Sequence, residues 1–211
     1  MDPLGNLIDW IALYGIFGLI AMGMAERFVP AIPSYGVLVA IGIAAAEDVW
    51  SVPAAVVGTA IGSFVGASSL YLAVRALGTK RSTSLLYWIG KWIGLSHGRI
   101  DKSFSYLHTR ERMLTIVSQL IPTVRLISPV IAGLVQIRPS KFMAGSAVGI
   151  LIWNSFFIAA GHFVVLVVPD INSSVLALKV LALLVVTEAL VALGWRLQSL
   201  LPRLLATGGN K

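Results

Sequence analysis

Cysteine is absent from the 211 residues, which excludes disulfide staples, thiolate metal sites, iron–sulfur clusters and cysteine nucleophiles. Charge is scarce as well. Only 12% of the residues are Asp, Glu, Lys or Arg, whereas a soluble domain carries roughly a quarter. Hydrophobic residues make up 57%, so disorder is excluded, and no polar stretch is long enough to build a soluble domain. The chain therefore reads as a single all-α, polytopic membrane domain. The three histidines, His97, His108 and His162, have no metal-ligand spacing with carboxylates. No H-E-x-x-H, G-x-S-x-G or P-loop pattern occurs. No metal, cofactor or enzymatic activity is expected. The start, Met1 to Asp9, has no basic n-region and carries Asp2 and Asp9, so no cleavable signal is expected.

The basic residues that are present are unevenly placed. The net charge is +7, and eight of the sixteen Lys and Arg fall between Arg75 and Arg112. Tyr87, Trp88, Trp92, Phe104 and Tyr106 are interleaved with Lys91, Arg99 and Lys102. That composition suits an interfacial segment, 78–112, lying against anionic headgroups, and it argues for a membrane-surface partner over nucleic acid.

A helix needs about 20 apolar residues to cross roughly 30 Å of hydrocarbon. Segments 7–25, 52–77, 142–168 and 175–197 meet that length and are expected as transmembrane helices. Two further apolar segments are interrupted. Residues 28–46 contain Pro30 and Pro33 followed by Gly36 and Gly42, and residues 113–137 contain Pro122, Arg125, Pro129 and Gly133. Proline removes a backbone donor and clashes with the preceding turn, so each segment is expected to be two half-helices around a break. Broken backbone at membrane depth must be enclosed by protein or line a water-filled cavity. Both segments are therefore read as re-entrant loops.

The order, broken segment then full helix, occurs twice, and the charge map gives the two copies opposite senses. With 78–112 cytoplasmic, a re-entrant 113–137 keeps Arg138 and Lys141 cytoplasmic. Glu47 and Asp48 then lie outside, and the C-terminus with Arg196, Arg203 and Lys211 lies inside. An inverted repeat of this kind brings the breaks together at a substrate site near the midplane. The bland alternative is a pair of proline-kinked helices with no transport role.

Charges inside hydrocarbon are costly, so each needs a partner or a task. Glu26, Arg27, Arg125 and Glu188 are the candidates. If the breaks meet, Glu26 approaches Arg125. The pair then either fixes the packing of the two halves or handles a substrate. Arg125 offers a planar fork of donors suited to a phosphate, with Ser128 close by in sequence. A carboxylate at Glu26 can also hold a proton, so a proton and a phosphate compete for Arg125, which is one route to proton-coupled exchange. Arg27, near the expected membrane edge, reads as a snorkelling side chain, and Glu188 as a hydrogen-bonding partner, conceivably for His162.

Gly58, Gly62 and Gly66 form a GxxxGxxxG face, and the spacing recurs at Gly145 and Gly149 and at Gly90 and Gly94. Such faces admit another backbone closely, whether from the same chain or from a second copy in a homo-oligomer.

Together these motifs resemble the DedA family, also called the SNARE-associated or VTT-domain family. The likeness rests on Glu26, Pro30 and Pro33, then Gly58 and Gly62 leading to Tyr71, Arg75 and Gly78. It continues through Leu120-Ile121-Pro122-Thr123-Val124-Arg125 with Ser128, Ala132, Gly133 and Phe142, spanning about Glu26 to Gly161. The resemblance implies two facing re-entrant loops, movement of lipids such as undecaprenyl phosphate or phospholipids, flippase or scramblase activity, and functional roles for Glu26 and Arg125. Two departures stand out. Where many members carry a second acid just after the second proline, this chain has Tyr35 after Ser34. Where they carry a second arginine six residues before Arg125, it has Gln119. If these two charges pair in other members, their joint replacement leaves neither of them alone. The expected function is an inner-membrane transporter of a phosphate-bearing lipid, with a structural adaptor and a small-ion transporter as alternatives.

Overall fold

The computed structural model describes residues 3–29, 34–84 and 111–167. They include the helices α1 (Pro3–Leu13), α2 (Ile16–Phe28), α3 (Ser34–Ala46), α4 (Val52–Arg75), α5 (Glu111–Gln119), α6 (Pro122–Leu134) and α7 (Pro139–Val167). No strand occurs among the described residues, as an all-α reading requires. Pro30, Pro33, most of the basic 78–112 segment and the expected 175–197 helix lie outside the described residues.

Local chemistry sets the helix boundaries. The rod expected over 7–25 divides at Tyr14 and Gly15, because Gly15 adopts φ 54°, ψ −128°, a backbone region closed to most side chains. The break expected inside 28–46 lies at its beginning: α2 runs to Phe28, Val29 is extended, and α3 is one continuous helix through Gly36 and Gly42. In the other segment α5 stops at Gln119 and α6 starts at Pro122. There proline tolerates the first helical turn, where its missing N–H would be unpaired anyway. Pro129 does not interrupt α6. Arg125 therefore sits in the early part of a helix, not in the break.

The two long helices, over Val52–Arg75 and Pro139–Val165, are long and apolar enough to cross a membrane. They touch each other, and the short helices pair around them in a reciprocal pattern. Each copy's first short helix packs on its own copy's long helix, α2 on α4 and α5 on α7. Each second short helix crosses to the other copy's long helix, α3 to α7 and α6 to α4.

Small residues make these approaches close. A Cβ at Gly62 would sit 1.9 Å from the Ile20 carbonyl oxygen, so α2 and α4 meet backbone to backbone. Gly42 and Gly161 do the same for α3 and α7, each facing the other helix's carbonyl at 2.1 Å from an added Cβ. The Gly58–Gly62–Gly66 face is thus an intramolecular crossing.

The two long helices bury polar residues and expose apolar ones. Thr59, Ser63, Ser146 and Asn154 are buried in α4 and α7, and the Asn154 amide lies 3.1 Å from the Thr59 hydroxyl. Ile61, Val65 and Leu72 of α4 and Leu151, Phe156 and Phe163 of α7 are exposed. Lipid surroundings give such a surface no penalty, whereas water would.

Candidate substrate site

Four helix ends converge on one point. Glu26 and Arg27 lie in the last turn of α2, Ser34 opens α3, Gln119 closes α5, and Arg125 is the fourth residue of α6. All five side chains are buried; Arg125 is 1% exposed, Glu26 3% and Arg27 4%. The C-terminal end of α2 carries partial negative charge in addition to the Glu26 carboxylate, so cations are stabilised there.

The Glu26 carboxylate is the hub. Its Oε1 accepts from Arg125 Nη2 at 2.8 Å and from the Ser63 hydroxyl of α4 at 2.6 Å, and lies 3.5 Å from Arg27 Nε. Arg125 Nη1 donates to the Ser34 hydroxyl at 2.9 Å, and its guanidinium carbon stands 4.8 Å from the centre of the Trp153 ring. This is a charge-assisted network with a cation–π contact on one side.

Arg27 is a residue that sequence reasoning placed wrongly. It does not snorkel: it turns inward, and its Nη1 donates to Gln119 Oε1 at 3.0 Å and to the Arg125 carbonyl oxygen at 3.2 Å. That carbonyl is available for a reason. Its helical partner would be the N–H of residue 129, which is proline. The sequence signal was Gly66, whose position lies within 3.0 Å of Arg27 Cβ and Cγ measured from an added Cβ. A glycine there makes room for a large inward side chain.

The remaining expected residues sit at different distances from this hub. Gln119 belongs to it, and its amide nitrogen also reaches the Ser146 hydroxyl at 3.5 Å. Tyr35 packs beside Phe157, with ring centres 6.2 Å apart, in the main apolar core. Ser128 lies one turn beyond Arg125 and shares a 2.7 Å hydrogen bond with Ser118 of α5. Both line a cavity of about 250 Å³ between α5 and α6, with Thr115 the third hydroxyl and Leu114, Val117 and Ile131 among its apolar walls. Tyr71 and Arg75 clasp the connection between α6 and α7 instead: both donate to the Ile137 carbonyl, and Tyr71 stacks on Phe142 with ring centres 4.2 Å apart. Among the described residues no group of three His, Asp or Glu is placed to hold a metal ion.

A profile of the VTT domain matches residues 32–163, more than half of the sequence. The chain belongs to the DedA, or VTT-domain, family. An alkaline phosphatase-like protein of Lactococcus lactis strain MG1363 is 28% identical over 156 residues, covering 74% of this chain and 73% of that protein. Undecaprenyl phosphate transporter A of Staphylococcus aureus is 23% identical over 156 residues, covering 74% and 77%. An uncharacterized membrane protein of Bacillus subtilis is 22% identical over 164 residues, covering 78% and 97%. No solved structure matches. Within this DedA-family chain, Gln119 contacts Arg27 and so stays in the polar network, whereas Tyr35, the other neutral replacement, packs against the apolar core; its neighbour Ser34 contacts Arg125.

Proposed function

We propose that this protein is a membrane transporter that moves a phosphate-bearing lipid across the bilayer. Arg125 engages the phosphate, and Glu26 holds that arginine when the site is empty. One observation carries the reading: a buried carboxylate and guanidinium meet where four helix ends converge, the arrangement that discontinuous helices use to build substrate sites. The short helices support it. A helix of nine to thirteen residues is about 14 to 20 Å long, less than the roughly 30 Å of hydrocarbon, which suits segments that enter the membrane and return. The cavity beside Ser128 supplies an apolar place for the start of the lipid tail next to the headgroup residue. The name of the Staphylococcus relative points to the same class of cargo, a polyprenyl phosphate. Protonation of Glu26 would free Arg125 for the phosphate and couple the exchange to protons.

The test is reconstitution of the purified protein in vesicles carrying a labelled polyprenyl phosphate or, in parallel, a neutral polyprenol. Arg125→Lys keeps the charge but loses the planar fork. At equal amounts of folded protein, translocation of the phosphate lipid is expected to fall roughly tenfold or more. Equal transport by wild type and variant, or wild-type vesicles no faster than empty ones, overturns the proposal. Release of inorganic phosphate from a phosphomonoester would instead assign the activity in the name of the Lactococcus relative.

A further inference from the structure

The polar hub holds two guanidinium groups and one carboxylate, and the excess cation has donors to spare. Arg27 Nε and Nη2 and Arg125 Nε are buried without a hydrogen-bond partner. Buried N–H groups are almost always paired, those of charged groups above all. Both side chains are at least nine-tenths buried, and they converge through shared contacts: Arg27 reaches the Arg125 carbonyl, and both guanidinium groups face Glu26 Oε1. The deficit is therefore one negative charge with several acceptor oxygens, placed between the ends of α2 and α6.

We propose that Arg27 is a second anion-binding residue, and that Arg27 and Arg125 together clasp one phosphate group, with the Gln119 carbonyl holding Arg27 in place while the site is empty. This deepens the transport reading by giving the headgroup two cationic ligands from different helices. A tetrahedral phosphate presents enough acceptor oxygens to take donors from both guanidinium groups at once. The position of Gln119 sharpens the inference. Its side chain is 3.0 Å from the Arg27 guanidinium although it comes from α5, so a cation placed at 119 would occupy nearly the same space as the one now supplied from α2.

Binding can be measured without transport, on the full chain in detergent, by the thermal shift and calorimetric affinity for two probes. One is inorganic phosphate and the other a short-chain lipid phosphomonoester, dioctanoyl phosphatidic acid. Arg27→Gln is expected to weaken binding of the phosphate group roughly tenfold or more, and Arg27→Gln with Gln119→Arg to recover most of it. If both probes bind alike, the site reads free phosphate chemistry. If the lipid binds much more tightly, it reads a headgroup with its tail. Unchanged affinity in Arg27→Gln, or no binding of either probe to the wild type, overturns the assignment. If Arg27→Gln fails to fold, Arg27→Lys decides instead: it retains charge but not the fork, and equal affinity to wild type counts against the clasp. Failure of transport alone leaves these binding results standing, so the two readings fall separately.

Discussion

Pro129 removes a single N–H, and with it the usual partner of the Arg125 carbonyl; Arg27 takes that place from another helix. The site is thus built as much from a missing donor as from the charges around it. The unequal number of cations and anions gives a directional prediction. Glu26→Gln leaves two buried guanidinium groups without their counter-charge, whereas Arg125→Gln leaves Glu26 still beside Arg27 and the Ser63 hydroxyl. Breaking a buried pair typically costs about 3 to 5 kcal/mol, so Glu26→Gln should lower the unfolding temperature in detergent clearly more than Arg125→Gln. The reverse order in a thermal denaturation series would mean that Arg27 does not share the carboxylate. Much of this was legible beforehand: Glu26, at the junction before the first broken segment, was expected to approach Arg125 if the broken segments met, and the two lie 2.8 Å apart. Arg27 was not legible, because a cation at the end of an apolar run looks the same whether it turns out to the interface or inward. Only the packing partner decides.

At the level of elements, helix contacts here run through glycine, and two glycines of different kinds make the point. At Gly62 an added methyl group would collide with the Ile20 backbone, so Gly62→Ala must push α2 away from α4 and shift Glu26 relative to Ser63. Overpacking of this sort costs about 1 to 3 kcal/mol. At Gly15 nothing lies within 4 Å of an added Cβ, but the positive φ is unfavourable for any other residue. Gly15→Ala should therefore cost about 1 kcal/mol and leave phosphate binding intact, while Gly62→Ala lowers both stability and binding. Comparison of the two by thermal unfolding and the phosphate titration checks this. That the second segment is interrupted was legible, but the break expected over Pro122 to Pro129 lies just before Pro122, where proline opens α6. The division at Gly15 was not legible, because a lone glycine in an apolar run is equally compatible with a continuous helix.

For the whole molecule, the reciprocal pairing of short and long helices suits a membrane in which α4 runs from one face to the other. Its 24 residues extend about 36 Å. The absence of cysteine makes orientation directly measurable. In the otherwise thiol-free chain, Asp48→Cys before α4 and Lys80→Cys beyond it, both exposed, should react with a membrane-impermeant maleimide from opposite sides of sealed vesicles. Following the concentration of basic residues, Lys80 is expected on the cytoplasmic side. Labelling of both from one side would remove the crossing and the transport path built on it.

Composition alone determined that this chain is helical and apolar on its outside, since 57% hydrophobic residues with so few charges leave backbone hydrogen bonding within helices as the main solution in lipid. Residue order determined where the short helices begin and which charged residues needed partners, through proline chemistry and the cost of burying ions. Tertiary packing decided the rest. It turned the glycine face inward against α2, drew Arg27 into the polar hub, and exchanged α3 and α6 between the long helices. Those outcomes depend on which surfaces fit at backbone contact, a property of pairs of helices in three dimensions that no single segment carries.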